Sequence, residues 1–312
     1  ETSLKTYVLL KIRLLMKEIK GGNGLADTIK LMRIPFSYFL MPVFLFAVGE
    51  VRQLDLYALI ISFIVLHIFI YPASNGYNSY VDKDEGSIGG LRNPPKATKN
   101  LFYLSLVFDI IGIGLSLLLG FYFCLGIILY MIASRAYSSK VIRLKRFPIL
   151  GFLTVIIFQG GFTFFLIYNA VDAVEFSFIW PDILLLFISS ILIAGVYPMT
   201  QIYQHEADRN DGVNTISMAL GIRGTFIFSS GMFAVASALF YWYHFVNDTL
   251  SFFWYYLLFL SPVLIYFTSW FLKVIKNESA ADYTNTMRLN LIASTCLNVY
   301  FMLKILLNNN II

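Results

Sequence analysis

The chain is 312 residues long, 58% apolar and 17% aromatic, with only 13% charged residues and a mean hydropathy of +0.73. A soluble globular domain carries about 25% charged residues and cannot cover this much apolar surface, so a water-soluble enzyme is excluded and the chain reads as an integral membrane protein. The formal net charge of +5 matters less than its distribution, and two cysteines inside apolar runs, Cys124 and Cys296, offer neither a disulfide framework nor a thiolate metal cluster.

Residues 5–20 mix bases into an apolar pattern and are too interrupted to span. They predict an amphipathic helix lying in the membrane interface, within an N-terminal segment 1–30; a cleaved targeting peptide is the alternative, although no small-residue cleavage site follows. Residues 31–312 read as one transmembrane domain without a linker or low-complexity tract. Nine apolar stretches in it approach the roughly 20 residues needed to cross about 30 Å of hydrocarbon. They are placed at 34–51, 57–78, 101–118, 121–137, 149–169, 182–203, 225–245, 251–272 and 288–307, the third and fourth parted only by Gly120. Of the 23 Lys and Arg, 21 fall in the N-terminal segment or the even-numbered loops, leaving Arg52 and Lys304. By the positive-inside rule that face is cytoplasmic, as expected of a multi-pass protein of a cell's inner membrane.

The chain also repeats itself. Residues 71–86, YPASNGYNSYVDKDEG, match residues 197–212, YPMTQIYQHEADRNDG, at a constant offset of 126. Tyr71, Pro72, Tyr77, Asp82 and Gly86 recur as Tyr197, Pro198, Tyr203, Asp208 and Gly212, and further on Gly90-Leu91-Arg92 echoes Gly221-Ile222-Arg223. Asn75, Asn78, Asp82 and Glu85 stand at i, i+3, i+7 and i+10, so on a helix they form one polar stripe, as do Gln201, Gln204, Asp208 and Asp211. Such stripes are costly against lipid, so both should face an interior cavity at the cytoplasmic ends of helices two and six, with Pro72 and Pro198 kinking the helices above them. The carboxylates Asp82, Asp84, Glu85, Glu206, Asp208 and Asp211 need cations. Oxygen ligands without His or Cys suit Mg²⁺, and nearby loop bases suit phosphate oxygens, which together read as a Mg²⁺ diphosphate site opening into an apolar cavity.

Other intramembrane polar groups have plainer readings. His67 is expected to be a packing residue, Asp109 a structural ion-pair member, and Gln159 either a cavity residue or a neighbour of the close-packing Gly160-Gly161 pair. The basic run from Lys140 to Arg146 suits a topology signal, an anionic-lipid contact or a phosphate partner.

Asn78 to Asp82 (NSYVD), Gln201 to Gly212, Tyr137 to Lys145 (YSSKVIRLK) and the LMRIPFS opening of the first span resemble the UbiA-type intramembrane prenyltransferase superfamily. The first piece is similar to its N-D-x-x-D motif, and the third to the Y-S-x-P-P-x-K/R-L-K signature of the chlorophyll-synthase, homogentisate and menaquinone branches. Ser79, Gln201 and Gln204 stand where the family often has Asp, Gly86 where the first motif's last Asp would be, and Lys140 where a Pro is usual. The resemblance implies an all-α protein of nine transmembrane helices around a central cavity, with Asp-rich motifs after helices two and six. It implies Mg²⁺-dependent prenyl transfer from an isoprenyl diphosphate to a lipophilic acceptor, aromatic or quinone-precursor, with membrane lipid as surroundings and no nucleic-acid partner. Asp82 and Asp208 would be catalytic; Asn75, Asn78, Asp82, Glu85, Gln201, Gln204, Asp208 and Asp211 would hold metal; Arg92, Lys140, Arg143, Lys145 and Arg223 would hold the diphosphate. Two other readings remain at this point: a cation-coupled transporter, favoured by repeats and Pro-broken helices, and a catalytically inert lipid-binding relative, favoured by the Gln residues.

The orientation is checked with single cysteines in a background lacking Cys124 and Cys296. Ser87→Cys, Ser139→Cys and Asn277→Cys should resist an impermeant thiol reagent in intact cells and react after permeabilisation, while Asn247→Cys should react at once; the reverse pattern overturns the topology.

Overall fold

The computed structural model describes residues 24–83, 86–174, 176, 178–180 and 182–309, so the predicted interfacial helix at 5–20 lies outside the described residues. Among the described residues eight helices are long and apolar enough to cross a membrane: α3 (Leu56–Asp82), α4 (Lys99–Leu119), α5 (Phe121–Ser138), α6 (Pro148–Val171), α7 (Asp182–Asn210), α8 (Ile216–Val246), α9 (Leu250–Lys276) and α10 (Tyr283–Asn308). A ninth candidate span is the bent pair α1 (Gly24–Phe39) and α2 (Met41–Glu50), which meet at 43° and are long and apolar enough to cross only when taken together. The predicted unbroken span at 34–51 is therefore corrected. Arg33 adopts a left-handed conformation, and prolines sit in the first turn of both following pieces, where a ring without an amide hydrogen can start a helix but not continue one. The tight hairpin predicted at Gly120 is present, with φ of +96° at that residue.

Lipid tails are as apolar as leucine, so packing and paired polar groups, rather than escape from water, hold the helices together. Phe46 on α2 meets Phe164 of α6, Phe240 of α8 and Phe301 of α10 with ring centroids 4.8, 5.6 and 4.9 Å away. His67 is enclosed by Phe44, Phe63 and Tyr71, in keeping with the packing role expected of it. At Gly160 an added Cβ would lie 2.6 Å from the Ser190 Cα, and at Gly161 one would lie 2.8 Å from the Leu186 carbonyl oxygen, so these glycines let α6 and α7 touch backbone to backbone.

Both repeated helices change winding at the Tyr-Pro pair. In α3 a π-helical stretch, Ile64–Ile70, ends at Tyr71; in α7 a 3-10 stretch, Tyr197–Gln204, begins at Tyr197. The second polar stripe is thus not continuous α-helix as the spacing suggested: Gln201 and Gln204 ride on a winding of three residues per turn, and Asp208 follows on a short α-helix. The first stripe ends with its helix at Asp82, because Lys83 is left-handed at φ of 53°; Asp84 and Glu85 lie outside the described residues. The more distant echo of the repeat is visible in the backbone, since Gly90 and Gly221 both have positive φ, 83° and 72°.

Several charged groups in or at the ends of the spans are paired across helices. Asp109 on α4 takes the guanidinium of Arg135 on α5, which also stacks 4.0 Å over the Tyr77 ring and donates to the Ala73 carbonyl. Glu50 is held by Lys304 and by the Tyr243 hydroxyl, and Arg52 pairs with Asp182 at 3.0 Å. The two bases outside the one-sided charge distribution, Arg52 and Lys304, are thus neutralised locally. Removing one partner of a buried pair strands a charge, at about 3–5 kcal/mol, whereas replacing both by apolar residues is often near neutral. Arg135→Met should therefore lower the melting temperature in detergent clearly, and Asp109→Leu added to Arg135→Met should restore most of it; equal losses in the single and double variants would show that the pair does not stabilise the fold.

Candidate active site

A cavity of about 730 Å³ opens at the end of the bundle where α3 and α7 finish their polar stripes, within the size range of small-molecule sites. The first motif contributes Asn75, Asn78 and Asp82, and the second contributes Gln201, Gln204, Asp208 and Asp211, with Glu206 beside them. Seven of the eight residues proposed from sequence as metal ligands therefore line one space, and the eighth, Glu85, lies outside the described residues. Tyr137 on α5 lines the same cavity as Asp82 and Asp208. Tyr137 also shares a hydrogen bond with the Tyr197 hydroxyl.

The amides of the two copies are used differently. Asn78 donates from Nδ2 to the Ser138 hydroxyl at 2.9 Å, and Gln204 donates to the Ser87 carbonyl at 3.4 Å. Gln201 is bonded at both ends of its amide: Nε2 donates to the Tyr197 hydroxyl at 2.8 Å, and Oε1 accepts the Ser217 backbone N–H at 3.4 Å. Its carboxamide thus orients Tyr197 and ties α7 to the start of α8, using the donor and the acceptor of one side chain.

Of the bases proposed for diphosphate, Lys145 lines the cavity and is ion-paired to Asp82 at 2.5 Å. Arg143 does not line the cavity but is paired with Asp211, which does. The other three are not brought to the cavity. Arg223 pairs with Glu278 at 3.0 Å and donates to the Ile275 carbonyl, while Arg92 and Lys140 are exposed on their loops. The positive φ at Gly221 turns the chain just ahead of Arg223, which the sequence pattern alone does not reveal. Conversely, Arg33, which the sequence marks only as one of the bases on the charged face and as the Arg of LMRIPFS, is 8% exposed, lines the cavity and donates to the carbonyls of Asn75 at 3.1 Å and Gly89 at 3.3 Å. Its signal was the LMRIPFS segment, which places a base at the mouth of the first span.

Deeper in, the wall becomes aromatic. Tyr130 is eight residues along α5 from Ser138, about 12 Å at 1.5 Å per residue, and lines the cavity with Phe158 and Gln159 from the π-helical stretch Ile157–Phe162 of α6. Both sequence readings of the Gln159 region hold: the amide faces the cavity while the glycines pack against α7.

Among the described residues no three His, Cys, Asp or Glu side chains converge closely enough to form a complete metal site. The donor set nevertheless fits a hard cation that takes only some of its ligands from protein. Asp82 Oδ1 is buried without a hydrogen-bond partner on the cavity wall, and the facing wall carries Asp208 and Asp211. Such partial protein coordination, completed by water and phosphate oxygens, is the habit of Mg²⁺.

No curated protein sequence matches the chain. Solved structures do. A UbiA homologue from Archaeoglobus fulgidus bound to DMAPP and Mg²⁺ superposes with a TM-score of 0.62 at 16% identity, covering 89% of this chain and 99% of its own. The apo UbiA homologue from Aeropyrum pernix K1 gives 0.64 at 18% identity over 87% and 98%. A digeranylgeranylglyceryl phosphate synthase gives 0.58 at 18% identity over 90% and 98%. These likenesses establish the fold, and the model of the UbiA prenyltransferase family matches residues 37–292. With more than four-fifths of its length inside that match, the chain belongs to the UbiA prenyltransferase family.

Proposed function

We propose that this protein transfers a prenyl group from an isoprenyl diphosphate to a lipophilic acceptor, aromatic or quinone-precursor, in a Mg²⁺-dependent reaction at the cytoplasmic end of the bundle. The observation that carries the reading is the convergence of both copies of the polar repeat, with Lys145, on one cavity whose mouth is charged and whose depth is aromatic. A molecule with a charged diphosphate and an apolar tail has that same division. The A. fulgidus homologue was solved with DMAPP and Mg²⁺ and with GPP and Mg²⁺, which supports the choice of ligand class.

In the proposed reaction the bond between prenyl C1 and the diphosphate oxygen breaks, C1 bonds to the nucleophilic atom of the acceptor, pyrophosphate departs and the acceptor gives up one proton. Asn78, Asp82, Asp208 and Asp211 are the residues proposed to hold Mg²⁺, with Gln204 as a direct or water-mediated ligand and Gln201 as their scaffold. Mg²⁺, when bound, offsets charge on the diphosphate and makes it a better leaving group. Lys145, Arg143 and Arg33 supply the protein's own positive charge to the departing pyrophosphate, and the site needs no base on the far side of the bundle. Tyr130 and Phe158 flank the space proposed for the prenyl tail, where aromatic faces favour positive charge developing at C1 and exclude water that would otherwise capture it. A transporter would set its ionisable groups near mid-membrane, whereas the carboxylates of this cavity sit at the ends of α3 and α7.

With labelled prenyl diphosphates of several lengths and membranes as the acceptor source, excess EDTA should abolish product. Asp82→Asn and Asp208→Asn should each cut turnover by about two orders of magnitude or more while the protein still inserts. Full activity in any of the three cases contradicts the reading. At the second motif, Gln204→Leu should lose most activity and Gln204→Asp should retain it; a Leu variant with normal rates would make Gln204 a packing amide only.

A further inference from the structure

The loop between α5 and α6, residues 139–147, gives one base to each copy of the repeat. Lys145 reaches Asp82 of the first copy, with side chains 9% and 6% exposed, and Arg143 reaches Asp211 of the second. Arg143 is left-handed, φ 49° and ψ 56°, and starts the short 3-10 turn Leu144–Arg146, so the chain changes direction between the two bases. Lys145 is also fixed from behind: a Cβ on Gly151 would come within 3.0 Å of the Lys145 Cα, leaving no room for the loop to settle further onto α6.

Neither pair satisfies both of its members. Asp82 keeps Oδ1 buried without a partner, and Arg143 keeps Nε buried without one. The unmet group is an acceptor on the carboxylate and a donor on the base, so the first invites a second cation and the second invites an anion. An ammonium and a divalent cation cannot both occupy Asp82 in a buried setting without strong mutual repulsion.

We propose that the 139–147 loop is a charge latch. Without diphosphate, Lys145 and Arg143 serve as the counter-ions of Asp82 and Asp211; when diphosphate enters, they move to its oxygens and release the carboxylates to a divalent cation. The latch rests on the Mg²⁺ diphosphate reading above and adds an order to it: the metal binds well only when an anion is present to draw the bases away. By linkage the metal must favour diphosphate binding to the same degree, so the cavity does not load with metal alone.

The test uses the full chain in detergent, with Mn²⁺ as the metal probe and inorganic pyrophosphate as the anion, in equilibrium dialysis at fixed free Mn²⁺. Without pyrophosphate, Lys145→Met should bind Mn²⁺ about tenfold tighter than the wild type or better, and Arg143→Met by a smaller factor, since Asp211 is the more exposed carboxylate. Arg146→Met removes an exposed base of the same loop that stacks on Phe147, and should change nothing. Pyrophosphate should tighten Mn²⁺ binding to the wild type by about tenfold or more, and most of that gain should be missing in Lys145→Met. Equal Mn²⁺ affinity for wild type and Lys145→Met without pyrophosphate overturns the latch while leaving the metal site standing, and so does an equal gain in Arg146→Met, which would be a bulk-charge effect. Absence of Mn²⁺ binding in every protein even with pyrophosphate overturns the metal reading and the latch together. Variants are compared only if they elute as the wild type does; if Lys145→Met fails this, Lys145→Gln and Arg143→Met decide the matter by the same criteria.

Discussion

A carboxylate inside a membrane protein must be given a cation, and the structure is organised around that requirement. Glu50, Asp82 and Asp109 lie in or at the ends of apolar helices, and each is held by a base from another helix or loop: Lys304, Lys145 and Arg135. Burial of an ion pair gives little net stability compared with an apolar pair of the same shape, so these pairs fix which helices meet rather than how strongly. Two of them clamp the scaffold. The third, Asp82 with Lys145, opens onto the cavity, where the proposed latch would exchange one cation for another.

The cavity itself follows from interrupted winding. A regular α-helix presents an even surface, and packed regular helices leave little room between them. Here a π-helical stretch precedes Tyr71-Pro72, another surrounds Gln159, and a 3-10 stretch follows Tyr197-Pro198. Each shifts the phase of the residues beyond it relative to a continuous α-helix. The glycines at 160 and 161 then let α6 and α7 close tightly on one side of the cavity, so that the space stays bounded.

Much of this was legible in the sequence. Span length, the Gly120 hairpin and the internal repeat are local or periodic signals, and the polar spacing in the repeat told which residues share a wall even where the winding differs from that assumed. The break within the first crossing was not legible, because Pro35 and Pro42 can each open a helix as well as end one. Nor was the sorting of the bases. Arg92, Lys140 and Arg223 carry the same charge at similar places in the sequence as Arg33, Arg143 and Lys145, and only loop geometry decides which reach the cavity or a carboxylate lining it. The role of Gln201 was hidden for a related reason: its partners Tyr197 and Ser217 come from two elements, and the spacing that marked it as a ligand equally suits a scaffold amide.

The two copies of the repeat are proposed to face one another across a single diphosphate site. An experimental structure of the full chain with Mn²⁺ and a non-reacting prenyl thiodiphosphate, with the metal located by its anomalous signal, tests this most directly. Metal density is expected between Asp82 and Asp208 in contact with the diphosphate, with the tail running toward Tyr130 and Phe158. Metal bound away from both aspartates, or a diphosphate lodged outside this cavity, would contradict it.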